Sequence, residues 1–210
     1  MSARRNFITS GIIFALMAAM GTAWVLDWIA KKPVSSSGGF YFPGTFEISG
    51  PHFFQSDPRW GSEKLAATEE TLSEAGCAVS SAAMVLAFYG ADTDPGRLNR
   101  FLQKTPGGYT PEGWIYWEKA AEVDGELAAK VLPHYENAPS RFLIDWNLFL
   151  GNPVIVRIRH PDGPTHFVVI CGKSGFDYLI RDPGSRGKNG VYPLKEITPS
   201  VEALRFYKKP

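Results

Sequence analysis

Apolar residues recur from Ala78 to Tyr89 at Val79, Ala82, Ala83, Leu86 and Phe88, a stripe of helical period that Gly90 can end. Two shorter helices should follow, one opened by Asp94 and Pro95 in "TDPGRLNRFLQK" and one by Thr110 and Pro111 in "TPEGWIYWEKAAEV". A fourth is predicted for "APSRFLIDWNLFLGNP", with Ser140 as N-cap, apolar Phe142, Leu143, Trp146, Leu148, Phe149 and Leu150, and Gly151 as its stop. Beyond Pro153 the pattern changes. "PVIVRI", "HFVVICG", "DYLIRD", "GVYPL" and "ALRFYK" are β-branched or aromatic runs separated by turn residues, which is the mark of an antiparallel sheet.

Helices first and strands afterwards predict an α+β fold, with a helical half packed on a C-terminal sheet and a site where the halves meet. The turn "KSGF" should join Phe167–Gly172 to Asp177–Asp182 as a hairpin, and a centre near Ser174 would set position 166 opposite position 182.

The N-terminus differs from the rest. Arg4 and Arg5 precede a charge-free run from Gly11 to Leu26, which reads as a signal anchor or export signal over residues 1–30. "ARRNFITSG" also partly matches a twin-arginine signal. The two arginines place the following domain outside the cytoplasm, either membrane-anchored or released after cleavage. "KKPVSSSGGFYFPG" then reads as a flexible tether within residues 31–47, leaving 48–210 as the folded domain.

A chain of 210 residues with 44% hydrophobic content can bury a real core, and a net charge of +1 without charged blocks gives nucleic acid no footprint. No metal-ligand spacing or phosphate-cradling glycine loop is present, so no cofactor is expected.

Chemistry narrows to a few residues. Cys77 follows Gly76 at the start of the first helix, where free amides and the helix dipole favour a thiolate, although a buried inert cysteine has the same address. A base must come from His52, His134, His160 or His166. His52 and His134 read as packing or solvated groups and His160 as part of a turn, whereas His166 opens the strand "HFVVICG". The hairpin register sets Asp182 beside it, where a carboxylate would fix the imidazole tautomer. Cys171 lies within an apolar strand and reads as a buried thiol.

In this order, "QSDPRWG", "GCAVSSAAMVLAFYG", "GNPVIVRI", "HFVVICG" and "IRDPGS" resemble the bacteriocin-processing-peptidase-like (double-glycine peptidase-like) cysteine peptidases of the papain-like superfamily. The resemblance runs from about Phe54 to Gly187. It implies a papain-like fold with Cys77 as nucleophile, His166 as base and Asp182 as orienting acid, and a peptide or protein as substrate. It also implies that Gln55 donates to the oxyanion hole, although Gln55 lies 22 residues before Cys77 rather than the usual handful. Alternatively, Gln55, Asp57, Arg59 and Trp60 fasten the start of the domain. The expected function is a cysteine hydrolase of peptide or related amide bonds. Its competitors are a catalytically silent peptide-binding adaptor and a cell-wall amidase or transferase using the same triad.

Overall fold

The computed structural model describes residues 17–22, 32–128, 132–161, 163–184 and 187–208. Residues 1–32 and 33–210 are separate compact units. In the first, residues 17–22 are helical, and the rest of the segment read as an anchor lies outside the described residues. Among the described residues no helix is long and apolar enough to cross a membrane.

The second unit is α+β, built on a seven-stranded sheet. Its strands are β1 (Val34–Ser35), β2 (Ser37–Glu47), β3 (Leu132–Glu136), β4 (Val154–Arg159), β5 (Thr165–Arg181), β6 (Tyr192–Pro193) and β7 (Ser200–Lys208). The order is β1-β7-β4-β5-β2, with β3 on β7 and β6 on β5, and every pairing is antiparallel. The helices are α1 (Leu72–Ala75), α2 (Cys77–Phe88), α3 (Pro95–Lys104), α4 (Trp117–Ala121), α5 (Gly125–Ala128) and α6 (Arg141–Phe149).

Strand alternation divides the core in two. Ile155, Val169 and Tyr207 face the cluster formed by α2, α3 and α4, while Val154, Val156, Ile158, Val168 and Ile170 face the cluster that takes Ile144 and Leu148 of α6. Helix α2 is buried along Val79–Leu86, the expected outcome for a helix apolar on every side, and Gly90 at φ +108° follows it. Asp94 caps α3 by accepting from the Arg97 amide at 2.8 Å, and Ser140 caps α6.

Several expectations are corrected. Residues 34–47, read as part of a tether, are strands of the sheet: β1 pairs with β7, and β2 pairs with β5 from Ser37↔Asp177 to Glu47↔Gly172. Their glycines do not loosen the chain, because Gly38 and Gly39 take positive φ inside β2. No helix starts at Thr110. Thr110–Gly113 is a tight turn closed by the Gly113 amide on the Thr110 carbonyl at 3.0 Å, with Gly113 at φ +83°, and the helix begins at Trp117. His134, read only as a packing or solvated group, lies in a strand that the sequence reading did not include, β3, an edge strand on β7. Helix α6 does not complete a helical half; it covers the opposite face of the sheet from α2.

The expected hairpin is inscribed in β5. The run is extended from Thr165 to Arg181, and a straight strand would separate positions 166 and 182 by about 50 Å. Yet the His166 and Asp182 side chains meet at 2.7 Å, and Cys171 Sγ lies 3.7 Å from the Leu179 carbonyl oxygen. The chain therefore reverses between them, where Gly175 takes φ +58°.

Gly39 tests the corrected boundary. At φ +73° any side chain is strained, and a Cβ would strike the carboxylate of buried Asp145. Gly39→Ala should lower stability by about 3 kcal/mol or more, measured by urea unfolding; an unchanged midpoint would restore the tether.

Candidate active site

Gly76 lets α1 run directly into α2, because a Cβ there would collide with the Leu72 carbonyl and side chain. Cys77 thus becomes the first residue of a twelve-residue helix whose N-terminus no side chain caps. The earliest amide in α2 with a backbone partner is that of Ser80, bonded to the Gly76 carbonyl at 2.9 Å. The donors of Cys77, Ala78 and Val79 precede it, and with the positive end of the helix dipole they favour negative charge at this point. Cys77 is half-buried and unpaired with Cys171.

His166 opens β5, where β4 holds it through the Ile158↔His166 pairing. Its Nε2 is 2.7 Å from Asp182 Oδ1, and Cys77 is the other side chain whose influence favours the protonated ring. With Nε2 committed to the carboxylate, Nδ1 is the nitrogen left for sulfur. The His160 ring stacks on His166 at 5.3 Å between centroids.

The charge states follow from opposing causes. Burial disfavours the imidazolium, but the hydrogen bonds to Asp182 and Cys77, and then their charges, prevail and raise His166 to about 10. Burial likewise pushes the Asp182 carboxyl up, and the hydrogen bond and charge of His166, the Gly184 amide and the Tyr192 hydroxyl bring it below its ordinary 3.8. Burial pushes the Cys171 thiol up to about 12, which suits an inert core thiol.

Asp182 is held from all sides. Oδ1 also accepts from the Gly184 amide at 2.7 Å, Oδ2 accepts from the Tyr192 hydroxyl at 2.8 Å, and the Asp182 carbonyl bonds His52 Nε2 at 2.8 Å. Gly184 passes so near that a Cβ would stand 3.1 Å from His166 Nε2. Burial, then the Asp182 charge, raises the Tyr192 hydroxyl, so it remains a donor.

Gln55 ties the two sides of this group together. Its amide donates to the Pro183 carbonyl at 2.8 Å, and its side-chain Nε2 donates to the Ser73 carbonyl at 2.8 Å, four residues ahead of Cys77. Nε2 carries two protons and this bond uses one, while Oε1 is buried without a partner.

Of the residues singled out in the sequence, Cys77, His166 and Asp182 belong to one group, and Gln55 bridges the short helix ahead of Cys77 and the turn after Asp182. His134 does not join them: it lies in β3, bonded to Glu136 at 2.8 Å. Tyr192 and Gly184 escaped sequence reasoning, and His52, read as a packing or solvated group, supports the Asp182 carbonyl. Tyr192 sits in the short run "GVYPL", whose pattern announces a strand and nothing about a hydroxyl aimed ten residues back. Among the described residues no group of His, Cys, Asp and Glu could hold a metal ion.

A model of the Peptidase_C39 like family matches residues 51–207. No curated protein matches the chain. Among solved structures, a Bacillus anthracis protein assigned as a C39-like peptidase is 16% identical, with a TM-score of 0.52 over 80% of this chain and 99% of its own. At that identity the likeness speaks to the fold alone. The peptidase domain of Streptococcus ComA, a bifunctional ABC transporter of a quorum-sensing pathway, is 19% identical, with a TM-score of 0.45 over 64% of this chain and 91% of its own.

Two consequences can be measured. The raised His166 contributes stability in full below its ordinary 6.5 and loses it as pH climbs through about 10, whereas the lowered Asp182 contributes above 3.8 and loses it as pH falls through its folded value. Unfolding free energy from this pair should therefore be greatest between those ordinary values and decline on both sides. Tyr192→Phe leaves Asp182 Oδ2 without its donor and should cost about 1–3 kcal/mol near neutrality, a gap that shrinks in acid as the carboxylate protonates. A gap independent of pH would mean that the hydroxyl does not serve Asp182.

Proposed function

The chain belongs to the Peptidase_C39 like family and is a cysteine peptidase, and from that premise we propose that Cys77, His166 and Asp182 are its catalytic triad and Gln55 its oxyanion donor. One observation carries the reading: a buried imidazole bonded to Asp182 at 2.7 Å, its protonated form favoured also by Cys77, which opens a helix whose N-terminus no side chain caps.

In this reading the Cys77 thiolate adds to the carbonyl carbon of the scissile peptide bond, forming a carbon–sulfur bond while the carbonyl oxygen takes the negative charge. That charge meets the Cys77 amide at the head of α2 and the uncommitted amide proton of Gln55. Nδ1–H of His166 protonates the leaving amine as the carbon–nitrogen bond breaks. His166, now neutral, takes a proton from water, whose oxygen attacks the thioester, and the acyl group departs as a carboxylic acid. Asp182 keeps the ring aimed and its positive form stable without taking the proton itself.

The same proposal sets the domain outside the cytoplasm. Its support is the sequence ahead of the domain, with Arg4 and Arg5 followed by the charge-free Gly11–Leu26. Substrates are then peptides or proteins of the envelope or exterior.

Cys77→Ala and His166→Ala should each lower kcat/KM on an unfolded protein substrate by about 10⁴-fold or more, with the fold intact by circular dichroism. Asp182→Asn should reduce it by about 10²–10⁴-fold. Activity of the unaltered chain should fall as pH rises through about 10, where His166 gives up its proton, and Asp182→Asn should move that limb to lower pH. Capture of peptides without cleavage favours the adaptor reading, and cleavage of purified peptidoglycan alone favours the amidase reading.

A further inference from the structure

Helix α6 is apolar on two sides. Ile144 and Leu148 face the core, while Phe142, Trp146, Phe149 and Leu150 are 56%, 46%, 68% and 55% exposed. Phe142, Trp146 and Phe149 recur at helical spacing, and their rings stack in series, with centroids 6.1 and 5.8 Å apart. Phe40 of β2, 53% exposed, joins edge-on to Phe142 at 6.2 Å, and the next residue, Tyr41, pairs with Phe176 at 5.1 Å. Among the described residues Phe40 and helix α6 together carry five of the thirteen large hydrophobic side chains left open to solvent.

A built support lies beneath it. Asp145 of α6 and Lys173 of β5 are fully buried and paired at 2.6 Å. Lys173 Nζ gives its other two protons to the Gly38 and Phe40 carbonyls at 2.6 Å each, and the Phe40 amide donates to Asp145. All three donors of the ammonium are thus spent on clamping the start of β2 to α6. A buried pair of this kind contributes little net stability; its effect is positional, and what it positions is Phe40 against Phe142.

A face of stacked phenylalanine and tryptophan on a rigid base suits the headgroup–acyl boundary of a bilayer, where aromatic rings sit with one side in apolar surroundings. Arg141, exposed beside Gly38, adds a cation at the rim that suits anionic headgroups. The chain supplies a reason for a bilayer to be near. The charge-free Gly11–Leu26 ends fourteen residues before Phe40, and fourteen extended residues reach at most about 50 Å. We propose that the Phe40–Phe142–Trp146–Phe149 face docks on the lipid surface and holds the peptidase domain at the membrane. This rests on the anchored, extracytoplasmic reading given above.

The test uses the full chain with Cys77→Ser and Leu150→Cys, nitroxide-labelled at 150 and reconstituted into phosphatidylcholine–phosphatidylglycerol vesicles, with a label at Glu122→Cys as control. Collision with oxygen, which concentrates in lipid, is compared with collision with a water-soluble nickel chelate. The proposal expects the chain to sediment with the vesicles and the oxygen-to-nickel ratio at 150 to exceed the control several-fold. It further expects Phe142→Ser with Trp146→Ser to bring the ratio back to the control value. A chain that sediments with vesicles while both labels stay aqueous overturns the docking and leaves the anchoring. A label at 150 shielded from both reagents also overturns it and assigns the face to a protein, a second copy included. A chain that does not sediment with vesicles ends the anchored reading and this inference with it.

Discussion

The turn that ends β5 organises the site. Within four residues, Arg181 to Gly184, the chain presents the Asp182 carboxylate to His166 at 2.7 Å, its own Gly184 amide to that carboxylate, the Asp182 carbonyl to His52 and the Pro183 carbonyl to Gln55. Tyr192 closes the remaining side of the carboxylate. A buried carboxylate so surrounded stays ionised against its burial, and an ionised Asp182 keeps the buried imidazole charged. Loss of that one hydrogen bond would lower His166 and raise Asp182, because desolvation is the largest opposing influence on each group. Every other feature of the site, from the helix start at Cys77 to the buried Gln55, is arranged around the ring that this carboxylate orients.

Elements whose local chemistry and tertiary role agree were legible in the sequence. The stripe at Val79–Leu86 is core, the Asp94–Pro95 and Ser140 starts are helix caps, and the meeting of positions 166 and 182 follows from a period-two pattern either side of a turn. Elements that misled are those where composition and context part. Gly38 and Gly39 suggest looseness, yet they are glycines because the backbone runs against Asp145 at positive φ. Thr110–Pro111 has the chemistry of a helix start, yet Gly113 turns the chain first. Tyr192 could not be found, since a hydrogen bond between side chains ten positions apart in sequence leaves no periodic trace.

Helix α6 shows a further limit. Its apolar residues read together as one core stripe, but a helix offers each neighbour only one side. Leu143, Ile144 and Leu148 took the sheet, and Phe142, Trp146, Phe149 and Leu150 were left outward. Three of those left outward, Phe142, Trp146 and Phe149, are aromatic and stacked in series, and the Asp145–Lys173 pair below them is the most completely buried charge in the described fold. The domain thus has two constructed faces on opposite sides of one sheet: a nucleophile edge built by α2 and an aromatic face built by α6.

The central claim is that the environment of Cys77, and not its residue type, makes it reactive. Timed alkylation of the native chain with iodoacetamide, with the modified cysteine located by mass spectrometry, compares it with Cys171 in the same molecule. The account predicts rapid labelling of Cys77 at neutral pH, none at Cys171, whose buried thiol is pushed up to about 12, and a marked slowing at Cys77 in His166→Ala. A Cys77 that labels no faster than an ordinary exposed thiol, or whose rate ignores His166, would contradict it.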